Sequence, residues 1–387
     1  MNRRHFVRLA GGGVVLGASA GLAGCSSSLP PEATAAWRGP AADVADVRRW
    51  ILSYAILAPH SHNLQSWLVD LRQPGEITLY CDLTRLLPET DPLSRQIMMS
   101  QGTFLELLDI AARQKGLRAD ITLFPQGEFG PVALDKRPVA RIVLAADAAI
   151  QPDPLFAEIL RRHTNREAYE AREPAVAAMQ AIAASVAPHP VRTGFAGGAQ
   201  PDVLQKHRAI AMDAWRIELV TPRTILESFK VLRVGPREIA EHRDGLSINT
   251  PMVRALTALG LFDRSKAPAP DDAATTGQIR DFNTKMAATP AFFWMVTEGN
   301  DRKTQINAGR AYARAQLAAT AHGLAMQPLS QALQEYPEQA QPYAAIHALL
   351  QAPPPRYTVQ MWARLGYAPA VGPAPRRGLE AHLIKSA

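Results

Sequence analysis

Two polar segments far apart in the chain carry the groups best suited to chemistry. Ala58 to Trp67 reads Ala-Pro-His-Ser-His-Asn-Leu-Gln-Ser-Trp. Its hydroxyl, amide and imidazole groups (His60, Ser61, Asn63, Gln65) suit the hydrogen-bonding edge of a planar heterocycle, while Pro59, Leu64 and Trp67 supply apolar cover. Arg161 to Arg166 reads Arg-Arg-His-Thr-Asn-Arg. A guanidinium fork binds two phosphate oxygens at once, so Arg162 and Arg166 with the Thr164 hydroxyl between them suit a phosphate. The alternative is a solvated charged loop ending a helix over Pro154 to Leu160. His60 and His62 also form an H-x-H pair that could hold a metal, but no third ligand of matching spacing accompanies it. A second basic group, Arg376-Arg377, closes a tail of Tyr357 to Leu365 as a strand, then Gly366-Tyr367, then a proline-rich loop.

The elements that must position these segments read as a duplication. Gly102 opens an amphipathic run with Phe104, Leu107, Leu108 and Ala111 at helical spacing, ending at Gly116-Leu117. Gly309 opens a second, through Ala311, Ala315, Leu317 and Ala318, ending at Gly323-Leu324, and the glycines stand at the same separation in both. Strand candidates precede each run, at Glu76 to Cys81 and Ala291 to Thr297, and follow it, at Val139 to Leu144 and Arg356 to Trp362. Two copies of an α+β unit are expected, over 45–150 and 151–387. A coincidence of common helix C-caps is the alternative. The loop around Asn63 has no counterpart in the second unit, and the arginine segment none before residue 50, so each unit brings what the other lacks. An insertion at 221–276 reads as helical; it could lie over the site as a lid or only grip the other unit.

The first 25 residues read as a leader. Asn2 to Arg8 contains Arg3 and Arg4 as a twin-arginine start, followed by a Gly/Ala-rich run through Gly24 with no acidic residue. That run is too short and glycine-rich for a stable membrane span. Leu22-Ala23-Gly24-Cys25 reads as a lipobox, which places a lipid on Cys25; Ala18-x-Ala20 offers ordinary signal cleavage instead. The expectation is export by the twin-arginine machinery to a periplasmic, membrane-anchored state. Removing Arg3, Arg4 and Arg8 takes the formal net charge from +7 to +4, and the remaining basic residues are dispersed, which excludes a nucleic-acid surface. With Cys25 lipidated, Cys81 is the only other cysteine and no internal disulfide forms. The chain has no G-x-S-x-G elbow, P-loop or H-E-x-x-H helix.

Together the loop and the arginine segment resemble the two flavin mononucleotide contact segments of the nitroreductase superfamily, a P-S-S-x-N-x-Q-P-W loop and an R-H-S-x-K/R phosphate clamp. The fused, twin-arginine form is similar to the superfamily's Acg-like branch, over most of 45–385. The resemblance implies an α+β nitroreductase-like fold whose two tandem halves form an intrachain pseudo-dimer, monomeric as a whole, with one FMN. It implies phosphate contacts from Arg162, Thr164 and Arg166, a ribityl or ring contact from His163, and ring contacts from His60, Ser61, Asn63 and Gln65. Pro328, Leu329 and Ser330 fall where the family brings a backbone N–H to flavin N5, and Arg376 and Arg377 where its tail returns to the phosphate. His60 and His62 depart from the family's small polar residues. The implied activity is reduction of a small quinone-like or nitroaromatic-like acceptor using a small-molecule electron donor, with no catalytic side chain required. Two other readings stand beside it: flavin storage without turnover, with the insertion as a closed lid, and a cofactor-free scaffold.

Overall fold

The structure is a computed structural model that describes residues 28–385. Arg3, Arg4 and Cys25, on which the export and lipid expectations rest, lie outside the described residues. The first half contains α1 (Val47–Ala55), β1 (Trp67–Asp70), β2 (Glu76–Cys81), α2 (Arg95–Arg113), β3 (Leu117–Leu123) and β4 (Ala140–Ala146). There follow α3 (Val176–Ser185), β5 (Arg192–Ala196), α4 (Pro201–Val220), α5 (Pro222–Lys230), β6 (Leu232–Val234), α6 (Gly235–His242), β7 (Leu246–Ile248), α7 (Pro251–Ala258) and α8 (Ala273–Ala287). The chain closes with β8 (Ala291–Glu298), α9 (Arg302–Ala321), β9 (Ala325–Pro328), α10 (Ala340–Leu349) and β10 (Tyr357–Gly366).

The two halves repeat one topology. One sheet runs in the order β1-β2-β4-β3 and the other β5-β8-β10-β9, every neighbouring pair antiparallel. In both, the helix between the second and third strands of the unit is central: α2 in the first half and α9 in the second. These helices are held by local chemistry at their ends. Asp301 caps α9 by accepting from Thr304 N (2.7 Å), and each helix is followed by a glycine in the left-handed region, Gly116 (φ 65) and Gly323 (φ 66). Almost every residue of α2 from Arg95 to Ala112 is buried, the pattern of a helix packed on all sides.

Glycine sets how closely α2 and α9 approach. A Cβ on Gly102 would stand 2.0 Å from Ile306 O, and one on Gly309 1.9 Å from Met99 O. Gly102 and Gly309 are separated along the chain by as many residues as Met99 and Ile306, so a single two-fold operation exchanges the two contacts. This is the isologous interface of a symmetric dimer, written within one chain. The cores interlock accordingly: Ile306, Ala313 and Leu317 of α9 pack into the first-half core with Phe104, Trp67 and Ile77, while Met99 of α2 packs into the second-half core with Tyr312, Phe293 and Leu365. The fold is α+β, two tandem halves forming an intrachain pseudo-dimer.

Three features depart from the sequence reading. Pro154 to Glu158 forms a 3-10 turn and not a full helix, and the four edge strands β1, β3, β5 and β9 were not anticipated. The 221–276 stretch is not purely helical, because β6 and β7 pair in parallel. A small core of its own, from Leu219, Ile225, Phe229, Leu232, Ile248, Val253 and Phe262, supports that stretch. The C-terminal tail crosses back to the first half, where Val69 N donates to His382 O (2.8 Å) and Ile384 N to Val69 O (2.9 Å).

Candidate functional site

The loop between α1 and β1 is held in a costly backbone conformation. His62 (φ 47), Asn63 (φ 56) and Gln65 (φ 55) all occupy the left-handed region, which disfavours residues bearing a Cβ by about 1–2 kcal/mol each. Surrounding bonds enforce it. Ser66 N donates to His60 Nε2 (3.0 Å), which places the His60 proton on Nδ1 facing Ser61 O (2.8 Å). Burial holds His60 neutral, its pKa pushed down to about 3, so this imidazole braces the loop and does not exchange protons near neutral pH. Asn63 Nδ2 donates to Gly245 O (3.2 Å) and Pro375 O (3.0 Å), and its Oδ1 accepts from Arg376. One amide thus joins the loop, the insertion and the tail.

The arginine segment follows the 3-10 turn and meets the loop across one cavity of about 520 Å³. Pro59, His60, Ser61 and Asn63 line it from the first half, as do Arg162, His163, Thr164 and Arg166 from the second. Pro328 and Ser330 at the end of β9, and Arg376 in the tail, complete the predicted residues that reach it.

Three predicted residues do not reach it. Gln65 is fully buried: its Nε2 donates to Asn63 O (3.2 Å) and Arg243 O (3.0 Å), and its Oε1 accepts from Arg377 N (2.9 Å). It pins the loop to the insertion and tail. Arg377 is drawn the same way, its guanidinium donating to Gln65 O. Leu329 is buried and its N–H donates to Trp362 O (2.8 Å), continuing the β9–β10 ladder. The N–H of Ser330, next along the chain and lining the cavity, makes no hydrogen bond among the described residues.

One wall of the cavity is strongly cationic. Arg162 is buried, donating to Gln316 Oε1 (3.0 Å) and Leu57 O (3.1 Å); Arg376 is buried, donating to Ala58 O (2.9 Å). Both guanidiniums stand 5.5 Å from the Trp37 ring centre, on which His163 packs edge-on at 5.2 Å. Arg166 has solvent-accessible surface yet is surrounded by protein, as expected of a side chain standing in a cavity. None of the three forms an ion pair among the described residues. Burial pushes Arg162 down to about 10, and burial with the charge of Arg162 pushes Arg376 down to about 9. His62 falls to about 4 through burial and then Arg166, and His163 to about 4 through burial and then Arg162. Like charges gathered this way, with no carboxylate among them, are unfavourable unless an anion joins them.

Orphaned polar atoms point the same way. Arg162 Nε, Arg376 Nε, His163 Nε2 and the Tyr312 hydroxyl are buried without a hydrogen-bond partner. Each such atom leaves about 1–3 kcal/mol of desolvation unrecovered. Donors of this number and charge fit a phosphate group. Trp37, Tyr312 and Gln316 were missed by sequence reasoning. Tyr312 and Gln316 lie one turn apart on α9, and polar side chains on that otherwise apolar face were the available signal; Trp37 comes from an N-terminal arm with no motif at all.

The remaining wall belongs to the inserted stretch and its flanking helices. Gly245 to Thr250 line the cavity, as do Trp215 of α4 and Phe282 of α8, whose rings stack at 4.6 Å. The same stretch grips the first half: Asp244 ion-pairs with Arg85, and Glu227 accepts from Glu89 N (2.9 Å) and Thr90 N (2.9 Å). It both covers the cavity and packs against the partner half. Among the described residues no three His, Cys, Asp or Glu side chains gather as metal ligands. No helix among them is long and apolar enough to cross a membrane.

No family model matches the chain. Two Mycobacterium tuberculosis proteins provisionally named NAD(P)H nitroreductases, Rv3131 and MT3217, are each 26% identical over 357 residues, covering 88% of this chain and 94% of theirs. Among solved structures, the FMN-dependent nitroreductase NfnB of Mycobacterium smegmatis in complex with NADPH aligns with TM-score 0.37 and 19% identity, covering 59% of this chain and 96% of its own. A nitroreductase-like structure from Anabaena variabilis aligns with TM-score 0.39 and 12% identity, covering 76% of this chain and 69% of its own. The chain is thus similar from end to end to the two mycobacterial proteins named as nitroreductases, and its own architecture is a duplicated α+β unit.

Proposed function

We propose that this protein is an FMN-dependent oxidoreductase of nitroreductase type that reduces small quinone-like or nitroaromatic-like acceptors. The observation that carries the reading is the wall of Arg162, Arg166 and Arg376, cationic and without carboxylate partners, joined in one cavity to the Ser61–Asn63 turn. Arg162, Arg166, Arg376, Thr164 and Tyr312 would hold the phosphate. Ser61, His62 and Asn63 would face the ring's polar edge, and the Ser330 N–H would supply the donor at N5. Bound flavin supplies two-electron transfer. The chain's own part is to orient the ring, to keep water from it with the inserted stretch, and to hold His62 and His163 neutral so that the guanidiniums remain the positive groups. The relatives' names include NAD(P)H, and a small-molecule donor is proposed here too. Export in the folded state with flavin aboard, and a lipid on Cys25, complete the proposal.

Arg166→Ala tests the phosphate wall most cleanly, because Arg166 makes no hydrogen bond among the described residues whose loss would perturb folding. Loss of a charged hydrogen bond amounts to about 1.5–3 kcal/mol, so FMN affinity should fall roughly tenfold to a hundredfold while the melting temperature of the apoprotein is unchanged. Titrating FMN into the apo variant measures it, and an unchanged affinity would remove Arg166 from the site. Arg162→Ala should weaken binding by a similar factor and also destabilise the apoprotein, since it frees Leu57 O and Gln316. The bonds from Asp244 and Gly245 to the first half favour a second reading, storage under a closed cover. Bleaching the yellow protein with a reductant and adding an acceptor separates the two: recovery of colour within seconds supports turnover, and a persistently bleached protein supports storage.

A further inference from the structure

We infer that the outer face of α7 rests on a lipid bilayer, beside the lipid carried by Cys25. The inference rests on the lipid-anchored reading above and goes beyond it by naming which surface the anchor brings to the membrane. Ser28, the first described residue, accepts a hydrogen bond at its carbonyl from Asn249 Nδ2 (3.3 Å). Asn249 stands two residues before Pro251, where α7 begins. Three residues of chain separate Ser28 from Cys25, a length that spans at most about 11 Å.

The helix has two apolar sides. Val253 points inward, fully buried in the small core of the inserted stretch. Leu256 packs against the same core, whereas Met252, Ala255 and Leu259 recur at helical spacing on the other side, with Met252 53% and Leu259 71% exposed. Large exposed apolar side chains are few among the described residues, and two of them fall on this eight-residue helix and its cap. Scattered apolar residues need no explanation; a pair on one helical face beside the first described residue, three positions after a lipobox cysteine, has a ready one. Apolar side chains that enter the interface add buried apolar area to whatever a lipid anchor supplies. The placement bears on the site as well. Leu29 and residues 246–250 line the cavity, so the side of the molecule on which the described chain begins is also a side of the cavity.

The experiment uses the full chain, expressed with its leader, extracted from membranes and reconstituted into phosphatidylcholine vesicles. Single cysteines replace Met252 and Leu259, with Val132→Cys and Val176→Cys as controls at exposed positions elsewhere (66% and 64%). Cys81 will not compete for label, because it is buried and burial pushes its thiol up to about 12. An environment-sensitive fluorophore at 252 and 259 should be quenched severalfold more by brominated lipid than at 132 or 176. Equal quenching at all four positions, or none at 252 and 259, would overturn the inference. So would mass spectrometry showing no lipid on Cys25. Neither result touches flavin colour or FMN titration, so failure here is distinguishable from failure of the flavin reading.

Discussion

Gly309→Ala is expected to destabilise the folded chain by about 3 kcal/mol or more, or to prevent folding, with Gly102→Ala close behind. The added methyl group meets backbone: the Met99 carbonyl in one case and the Ile306 carbonyl in the other. No flexible side chain can yield, so α2 and α9 must move apart. Both helices line the cavity, through Met99, Ser100 and Thr103 on one and Tyr312 on the other, so FMN affinity should fall with stability. Urea denaturation measures the first effect and FMN titration the second. Gly277→Ala is the control: it lies within α8 with nothing within 4 Å of its Cβ direction, and should be neutral or stabilising by up to about 1 kcal/mol. Equal stability of Gly309→Ala and wild type would mean the helices do not meet as described.

Glu106→Gln is the second large effect. Glu106 is buried on α2 and reaches across the pseudo-dimer interface to Arg310 (2.7 Å), Arg314 (2.8 Å) and His189 (3.3 Å). Burial alone would raise its pKa, but the hydrogen bond from His189 and the charges of Arg310 and Arg314 outweigh it and bring the carboxyl down to about 2. A carboxylate depressed from its ordinary value of about 4.5 contributes stability that is fully present above that value and lost as pH falls towards 2. The depression corresponds to about 3 kcal/mol at neutral pH. Asp153 still pairs with Arg314 (2.9 Å) in the variant, which tempers the loss. The gap in unfolding free energy between wild type and Glu106→Gln should therefore be constant above about pH 5 and close below it. Comparing the two proteins cancels groups that Glu106 does not touch, including Asp91, whose carboxyl burial pushes up to about 6. A gap that persists unchanged at pH 3 would assign the effect to packing.

How much of this was legible in the residues depends on the range of the interaction. The matched glycine spacing in Gly102–Gly116 and Gly309–Gly323 reports a duplication because each helix carries its own stop signal. That Gly102 and Gly309 are also the points of closest approach is a tertiary fact, and nothing local announces it. The suitability of the arginine segment for an anion was legible by residue type alone. What distinguishes Arg162, Arg166 and Arg376 from Arg161, which pairs with Glu158 at 2.9 Å, is that they form no ion pair among the described residues, and that is set by chain folded in from elsewhere. Gln65 shows the opposite failure. Its position in the loop suggested a ring contact, but its partners Arg243 and Arg377 come from distant segments and turn it away from the cavity. Within Pro328, Leu329 and Ser330 the sequence does not single out one N–H; pairing of β9 with β10 commits that of Leu329.

The ion pairs of Glu106 have a consequence for how such a molecule can diverge. The residue that the two-fold operation exchanges with Glu106 is Ala313, an uncharged side chain buried in the first-half core. In an assembly of two identical subunits every mutation is made twice, so an acid on one side obliges an acid on the other. Joining the subunits in one gene lifts that obligation, and each side of the seam is then free to adopt its own chemistry.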